Sequence, residues 1–387
     1  MPARVLHTIT GLNMGGAEIM LARFLEQLDP HALSSTVLSL LPPGALHARV
    51  ARSSSEVITI DMARGLRPLD VVRLARCVRQ AAVPDLFHGW MYHGNMAAMA
   101  GSILARRFRP IVWSIHHTVT RLSDESASTR RLIRLSARLS SRTSAISYCS
   151  RVSADDHERL GFDPERRVLI PNGTDCDVFK PLPEAGARLR KLLDLPSQRL
   201  LIGHVGRFHP MKDQVNLVRA LGRVVAEGHD VQGIFIGQGH VEGPVRTAAR
   251  ELGIDERITT LDVRTDLPEL LPGLDLYVLS SAWGEACSLA TAEAMACGVP
   301  AVVTDVGDSA WLVGSSGVVV KPGEPEALAA GMRTLLTMDA DRRRELGARA
   351  RRRIVEEFSL SLYVRRHLDL YERVLSERPA VPSARAA

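Results

Sequence analysis

The feature that most constrains the fold is an alternation of short apolar runs with helix-length segments, repeated in two series. The first series comprises Val5–Ile9, Thr36–Leu41, Val57–Ile60, Leu86–Trp90, Ile111–His116 and Ala145–Tyr148. The second comprises Leu200–Val205, Gln232–Ile236, Ile258–Val263, Leu276–Ser280, Ala301–Thr304 and Val318–Val320. Because this alternation is typical of βα units, it predicts two parallel sheets covered by helices.

The length of the chain sets the number of domains. With 387 residues, the chain exceeds what one core usually supports. We therefore expect an α/β fold of two doubly wound Rossmann-like domains facing across a cleft: residues 1–175 and 176–356, with a hinge around Pro171 to Pro183. Residues 357–376 are expected to form a helix that crosses back to the N-terminal domain, and 377–387 a disordered tail. Since ligands bind beyond the carboxyl ends of parallel strands, the cleft is the expected active site.

Composition narrows the class of protein. The net charge of +6 favours anionic partners, whereas an aromatic content of 4% argues against nucleic acid. No apolar run approaches the roughly 20 residues that span a bilayer, and the N-terminal sequence lacks a secretory pattern. We therefore expect a cytoplasmic protein, peripheral at the inner face of the membrane. The five cysteines are odd in number and lack CxxC spacing, which predicts reduced thiols rather than disulfides or zinc.

One segment of the N-terminal half is amphipathic and basic. Leucine and isoleucine side chains lie on one side of it, and arginines on the other: Arg130, Arg131, Arg134, Arg138 and Arg142. Such a helix is typical of a solvated face or of contact with an anionic membrane surface.

The stretch W-G-E-A-C-S-L-A-T-A-E-A-M-A-C-G-V-P (283–300) places Glu293 among small, uncharged residues. With Ser288 as N-cap and Gly298 after the last turn, it predicts a helix from Leu289 to Cys297. Small side chains on every face indicate a buried helix. A buried carboxylate needs hydrogen-bond partners, which either neighbouring backbone amides or a hydroxyl-rich ligand could supply.

Two further loops have the composition of anion sites. Gly15 and Gly16 stand between the first strand and a helix, where paired glycines suit either an approaching anion or a tight turn. In H-V-G-R-F-H-P-M-K-D, Arg207 and Lys212 flank the loop after the first strand of the second series. Two cations at the carboxyl end of a strand suit a diphosphate, and a solvated loop is the alternative.

Three other motifs have competing interpretations. One histidine of the pair His116 and His117 is expected to face the cleft and polarise a substrate hydroxyl, unless both only pack. Asp175-Cys176-Asp177 matches a metal-binding DxD triplet, but its surroundings favour a turn. The glycines of a weak dinucleotide fingerprint also favour a turn: Gly237, Gly239 and Gly243.

Together, the motifs G-G-A-E, H-V-G-R-F-H-P-M-K-D, P-N-G-T-D-C-D-V-F and G-E-A-C-S-L-A-T-A-E-A-M-A-C-G-V-P resemble the family 4 (group 1) retaining glycosyltransferases of the GT-B fold. The resemblance implies transfer of a sugar from a nucleotide-diphosphate donor to a glycan or lipid-linked acceptor with retention of configuration. It further implies a role in cell-surface polysaccharide biosynthesis, with neither a metal nor a separate cofactor.

The resemblance also implies residue roles. Arg207 and Lys212 would bind the donor diphosphate, Glu285 the hydroxyls of the transferred sugar, and Glu293 the ribose. His116 would lie near the reacting sugar, and no protein nucleophile is implied. The remaining donor contacts would be Gly15, Gly16, Val263, Arg264 and the backbone amides of Ser288 and Leu289.

Two departures from the family pattern stand out. Where relatives usually have E-G-x-P, this chain has E-A-C-S from Glu285 to Ser288, and Asp262 replaces a common glycine. Two alternative functions remain at this point: a nucleotide-sugar epimerase of the same fold, and an NAD-dependent oxidoreductase that uses the glycines around Gly237.

Overall fold

A computed structural model describes residues 2–29, 31–62, 73–77, 84–105 and 109–377. The chain divides into two compact units, Met1–Pro171 with Ser361–Ala387, and Asn172–Leu360. The first division falls after Pro171 rather than after residue 175, and the second after Leu360 rather than after 356. The tail predicted for 377–387 lies, beyond Glu377, outside the described residues.

The described part of the first unit contains a seven-stranded parallel sheet in the order β3-β2-β1-β4-β5-β6-β7. Its strands are β1 Ala3–Ile9, β2 Leu33–Ser39, β3 Glu56–Thr59, β4 Leu86–Trp90, β5 Ile111–Ile115, β6 Ala145–Tyr148 and β7 Arg167–Leu169. Six of these correspond to the predicted runs. The edge strand β7 was not predicted, because its three residues are only half-buried and form no apolar run.

The second unit contains, within the same described residues, a six-stranded parallel sheet in the order β10-β9-β8-β11-β12-β13. Its strands are β8 Leu200–Val205, β9 Val231–Ile236, β10 Ile258–Leu261, β11 Leu276–Leu279, β12 Ala301–Thr304 and β13 Gly317–Val320. Each corresponds to a predicted run. The prediction that Val263 belongs to β10 was wrong, because the strand ends at Leu261.

Helices connect the strands of both sheets. Those of the first unit are α1 Gly16–Glu26, α2 His47–Ser53, α3 Met91–Leu104, α4 Ala127–Leu139 and α5 Arg151–Arg159, and residues 73–77 are also helical. Those of the second unit are α6 Ala185–Leu192, α7 Gln214–Ala226, α8 Pro244–Glu251, α9 Leu267–Leu270, α10 Leu289–Ala296, α11 Ser309–Val313, α12 Pro325–Leu336 and α13 Ala340–Glu357. The last helix is α14, Leu360–Ser376. None of the described helices is both long and apolar enough to cross a membrane.

Helix α14 packs into the core of the first unit. The Tyr371 hydroxyl lies 2.6 Å from Nδ1 of His88, which is buried in β4. The ring of Phe24 contacts the rings of Tyr363, His367 and Tyr371 at centroid distances of 5.3 to 6.3 Å. These contacts remove the large apolar surfaces of the aromatic rings from water, so α14 forms part of the core of the first unit.

In each sheet, the strand order along the sheet reverses direction between one pair of neighbouring strands. In the first sheet this reversal lies between β1 and β4, and in the second between β8 and β11. Loops that leave the carboxyl ends of such neighbouring strands diverge, and the crevice between them is where open α/β sheets bind ligands. In the second unit these loops are residues 206–213 and 280–288.

Candidate functional site

The two loops at the reversal point of the second sheet meet through an ion pair. Lys212, in the loop after β8, places Nζ on Oε1 of Glu285, in the loop after β11. The hydroxyl of Ser281 donates to the same oxygen at 2.6 Å. Glu285 is only 6% exposed. The site therefore contains a buried carboxylate that a cation and a hydroxyl hold in place.

Backbone contacts fix the same two loops to one another. The Ser280 hydroxyl donates to the carbonyl of Lys212 at 2.7 Å, and the amide of Ala282 donates to the carbonyl of Met211 at 2.8 Å. Gly284 has a φ of +75°, and a Cβ there would lie 2.5 Å from Sδ of Met211. The spacing of Lys212 and Glu285 is therefore set by backbone as well as by charge.

The loop after β12 packs closely against the backbone of Glu285. Gly307 has a φ of +59°, and a Cβ at this position would lie 1.8 Å from the carbonyl oxygen of Glu285. The amide of Asp308 donates to the carbonyl of Ala286 at 3.1 Å. In this region, Gly284 and Gly307 adopt the left-handed backbone conformation that favours glycine, and Ala286 does not. The departure from E-G-x-P at this position imposes no backbone strain.

Arg207 lies on the loop after β8, with its side chain exposed and its backbone held. Its carbonyl accepts a hydrogen bond of 2.9 Å from Nε2 of Gln214, which also lies 3.3 Å from Nε2 of the buried His204. Burial lowers the pKa of His204 to about 3, so this ring is neutral and can accept from the amide. The pKa of His209 is lowered by partial burial and then by the charges of Arg207 and Lys212. The charges of Arg207 and Lys212 therefore both act on His209, in the middle of this loop.

Helix α10 begins and ends with well-formed caps. The Ser288 hydroxyl accepts from the amide of Thr291 at 3.3 Å, as predicted for an N-cap. Gly298 has a φ of +79°, and the amides of Gly298 and Val299 donate to the carbonyls of Met295 and Ala294. These two bonds form a Schellman motif. The helix ends at Ala296, one residue earlier than predicted, because Cys297 is its C-cap.

Glu293 is buried in this helix, 7% exposed, as its small neighbours predicted. Burial, and then the charge of Glu293, raise the pKa of the Cys297 thiol to about 12. Burial also raises the pKa of Tyr277, to which the charges of Glu285 and Glu293 both contribute. The charges of both carboxylates therefore act on this one buried tyrosine.

Val263 and Arg264 lie beyond the end of β10. Val263 is 66% exposed, and the Arg264 guanidinium pairs with both carboxylate oxygens of Asp266. This hydrogen-bonded pair raises the pKa of Arg264. The Asp262 carboxylate accepts from the amide of Val263 at 2.8 Å, a local bond that glycine could not make. The loop is at the carboxyl edge of the sheet that carries Lys212.

The turn interpretations of two motifs are confirmed. Gly237 packs so closely against the loop after β8 that a Cβ would lie 2.4 Å from the carbonyl oxygen of Gly206. Oδ1 of Asp175 accepts from the amides of Asp177 and Val178, each at 3.1 Å, which is an Asx turn. Among the residues that the structure describes, no cluster of three or more histidine, cysteine or acidic side chains is arranged to hold a metal. All five cysteines are free thiols.

Gly15 and Gly16 lie at the carboxyl end of β1, in the first unit. Gly15 is the N-cap of α1, and a Cβ on it would lie 2.3 Å from Oε2 of Glu18. Gly16 is exposed with open space around it. Burial raises the pKa of Glu18 in the first turn. The G-G-A-E motif thus forms a tight entry to α1 at the edge of the sheet.

The two adjacent histidines contact different residues. The His116 ring stacks on Trp90 at a centroid distance of 5.5 Å and an angle of 11°, and its amide donates to Sδ of Met91. His117 instead places Nε2 2.7 Å from a carboxylate oxygen of Glu125. His117 therefore has a carboxylate as a partner, and His116 is held by aromatic stacking.

Sequence reasoning missed two residues that position candidate site residues. Ser281 is the second residue after β11, and Trp90 is the last residue of β4. The sequence feature that could have identified them is their position, because both stand near the carboxyl end of a predicted strand, where ligand sites form. Neither serine nor tryptophan has a motif around it that distinguishes this role from packing.

The basic face of α4, which Arg142 in the turn Ser140–Arg142 extends, is largely unpaired. Arg131, Arg134, Arg138 and Arg142 are exposed and, within the described chain, form no ion pair, and Leu135 among them is 46% exposed. Arg130 differs, because its guanidinium donates to the carbonyl of Glu125 at 2.7 Å. No acidic residue occurs in this helix.

Comparison with known proteins places this architecture in a family. The model described as Glycosyltransferase Family 4 matches residues 14–178, and the model described as Glycosyl transferases group 1 matches residues 187–353. The chain belongs to the group 1 glycosyltransferases. Its two Rossmann-like units match glycosyltransferases of the GT-B fold, as the sequence predicted.

Individual relatives of this glycosyltransferase are distant. It is 24% identical over 310 residues to EpsF of Bacillus subtilis, a protein named as a glycosyltransferase, covering 78% of this chain and 79% of EpsF. It is 29% identical over 327 residues to a D-inositol 3-phosphate glycosyltransferase of Salinispora tropica, covering 78% and 67% of the two chains. A crystal structure of Anabaena HepE in complex with UDP and glucose superimposes with a TM-score of 0.81 at 22% identity, covering 96% of this chain and 100% of HepE.

Proposed function

We propose that this glycosyltransferase transfers a sugar from a nucleotide-diphosphate donor of the UDP or GDP type to a glycan or lipid-linked acceptor, with retention, in cell-surface polysaccharide biosynthesis. The observation that carries the proposal is the pairing of Lys212 with the buried Glu285 at the reversal point of the second sheet. A cation beside a carboxylate suits a ligand that has both phosphates and hydroxyls. The solved complex of the structurally similar HepE with UDP and glucose supports this ligand class.

The proposed residue roles follow the chemistry of each group. Lys212 and Arg207 bind the diphosphate, and Glu285 accepts hydrogen bonds from the transferred sugar. The amides of Ser288 and Leu289 meet phosphate oxygens, because the first turn of a helix leaves its amides without intrahelical partners. Glu293 accepts from the ribose. For the other donor and sugar contacts we propose Val263 and Arg264 at the base, Gly15 and Gly16 at phosphate or acceptor, and His116 at the reacting sugar.

The reaction develops charge at two places. As the bond between the anomeric carbon and the diphosphate oxygen breaks, the sugar becomes positive and the leaving group more negative. We propose that Lys212, Arg207 and the α10 amides stabilise the leaving group, so that no metal and no further cofactor are needed. The acceptor oxygen then bonds to the same face of the anomeric carbon, and its proton passes to the departing phosphate, which explains retention without a protein nucleophile.

Donor binding gives the first prediction. A nucleotide sugar at 100 times its dissociation constant should stabilise the protein by about 2.7 kcal/mol, which a thermal-shift screen of UDP- and GDP-sugars would detect. Glu293→Gln should weaken the selected nucleotide sugar by about 10- to 100-fold, because hydrogen bonds to a charged acceptor contribute roughly 1.5 to 3 kcal/mol. Titration calorimetry measures this difference.

The matched control is Glu269→Gln, an exposed glutamate on α9 of the same unit, which should leave the affinity unchanged. Product analysis with an acceptor distinguishes transfer from release of a rearranged sugar. A screen in which no nucleotide sugar binds, or an unchanged affinity in Glu293→Gln, would contradict the proposal.

We further propose that α4 contacts an anionic membrane surface, which suits a lipid-linked acceptor. Its support is four exposed arginines around the exposed Leu135. Replacing Arg131, Arg134 and Arg138 together by serine should reduce binding to vesicles of anionic phospholipid by about 100-fold, since each basic residue near such a surface contributes about 1 kcal/mol. Sedimentation with vesicles at two salt concentrations measures the loss.

The control for the membrane experiment changes the same number of arginines elsewhere. Arg342, Arg344 and Arg352 are exposed on α13, a helix that also carries acidic residues, and their replacement by serine should have a much smaller effect. Equal losses in both variants would indicate a nonspecific charge effect. Binding that neither salt nor the α4 variant changes would exclude this surface.

A further inference from the structure

We propose that Ser281 is a positioning residue that keeps Glu285 in place when the donor diphosphate draws Lys212 away from it. The proposal rests on the proposed function and assigns a role to a serine that no motif marks. In this role, Ser281 keeps the sugar-binding carboxylate in position when Lys212 no longer pairs with it.

If a diphosphate binds here, the ammonium of Lys212 has two anionic groups within reach, the carboxylate of Glu285 and the diphosphate. It contacts Oε1 of Glu285, and the diphosphate is a second, more highly charged acceptor for the same ammonium. An ammonium is a point charge that shifts readily between acceptors. Donor binding therefore weakens the Lys212–Glu285 pair, because the attraction that Lys212 gives to the phosphates is taken partly from the carboxylate.

Glu285 cannot compensate by turning to water, because it is 6% exposed. A buried carboxylate that loses a hydrogen-bond partner carries an uncompensated desolvation penalty, and its side chain is no longer held in the position that the sugar hydroxyls require. The site therefore needs a second donor to Glu285 that the ligand does not recruit.

Ser281 fits this requirement. Its hydroxyl donates to Oε1 of Glu285 at 2.6 Å, and the residue is fully buried. Its backbone is fixed as well, because its carbonyl accepts from the Thr304 hydroxyl at 2.7 Å at the end of β12. A hydroxyl is neutral and, unlike Lys212, gains little from moving towards a diphosphate.

The geometry also leaves one carboxylate oxygen for the sugar. Lys212 and Ser281 both contact Oε1, and within the described part of the chain neither of these bonds uses Oε2. Ser281 thus fixes the rotation of the carboxylate through one oxygen while the other accepts from the substrate. The adjacent Ser280 does not share this role, since its hydroxyl donates to the carbonyl of Lys212.

The experiment compares Ser281→Ala with the wild type in binding and in turnover. The probes are the nucleotide sugar selected by the thermal-shift screen and its nucleoside diphosphate. We expect the affinity for the nucleoside diphosphate to change by less than about twofold, the affinity for the nucleotide sugar to fall about 10-fold, and kcat to fall further. The loss should appear in the affinity for the nucleotide sugar and in kcat but not in the affinity for the nucleoside diphosphate, whereas a general loss of folding would lower both affinities equally.

Controls separate positioning from folding. Ser316→Ala removes a buried serine hydroxyl that donates to a carbonyl in the same unit, and it should leave both affinities and kcat unchanged. Equal losses of affinity for both probes, or a wild-type affinity for the nucleotide sugar in Ser281→Ala, would overturn the role of Ser281 alone. Absence of nucleotide-sugar binding by the wild type would overturn the proposed function and this role with it.

Discussion

Replacement of Lys212 by alanine should lower kcat/KM for sugar transfer by about 10²- to 10³-fold, the usual loss when one preorganised donor to a developing anion is removed. Two losses combine. The leaving diphosphate loses a cation whose loop is fixed by the hydrogen bonds to the carbonyls of Lys212 and Met211. Glu285 loses the charge that stabilises its buried carboxylate. Steady-state kinetics with the selected donor measures the effect.

Lys212→Arg and Lys321→Ala are the informative comparisons. Arginine keeps the charge but presents a larger planar group, so it should recover only part of the activity. Lys321 is an exposed lysine of the same unit that pairs with Glu324, and its removal should leave kcat/KM unchanged. A Lys212→Ala enzyme with wild-type kcat/KM would contradict the proposed role, whatever its stability.

Much of the fold was predictable from sequence because buried parallel strands require continuous apolar runs. The run 200–205 and the strand Leu200–Val205 coincide, as do the run 86–90 and Leu86–Trp90. The strand Arg167–Leu169 was missed because an edge strand that is half-buried has no such run. Helix α10 was predicted within one residue, since both of its caps are local signals.

The site was predictable residue by residue but not as a set of contacts. Lys212 and Glu285 were each identified from their own loops, yet they are 73 positions apart in sequence, and only the strand order brings their loops together. Gly307 was not singled out, because its requirement for glycine comes from the carbonyl of Glu285 packed against it. Such requirements arise from tertiary contact, which leaves no local pattern.

The histidines of the first unit illustrate the same difference. His116 and His117 attracted attention because they stand at a strand end. His7, His88 and His367 lie on β1, β4 and α14 and were not noticed, yet they form one buried cluster. The rings of His7 and His88 are 5.5 Å apart, and those of His88 and His367 are 5.8 Å apart. Trp90 packs against this cluster and donates to Nδ1 of His7.

This cluster should make the first unit sensitive to acid. Burial, reinforced by the neighbouring His367, lowers the pKa of His7 from 6.5 to about 3. Burial likewise lowers the pKa of His367 to about 3 and that of His88 well below 6.5. The unfolded chain therefore binds more protons than the folded one between these values. The stability that the three neutral rings contribute is complete above pH 6.5 and is lost as the pH falls from 6.5 towards about 3.

The expected loss is large for a marginally stable protein. Each histidine contributes about 1.4 kcal/mol per pH unit below 6.5, so the free energy of unfolding at pH 5.5 should be roughly 4 kcal/mol lower than at pH 7.5. Urea unfolding measures it, with Trp283 and Trp311 replaced by phenylalanine so that the buried Trp90 and Trp113 report on the first unit.

His367→Phe tests the origin of this pH dependence. Phenylalanine keeps an aromatic ring against Trp90 but cannot be protonated, so the dependence of stability on pH should fall by about a third. His31→Gln changes an exposed histidine of the same unit and should leave the dependence unchanged. Equal pH dependence in His367→Phe and the wild type would place the acid sensitivity outside the cluster. The predicted reduction would show that the contact of α14 with the N-terminal sheet is weakened when the buried ring of His367 takes up a proton.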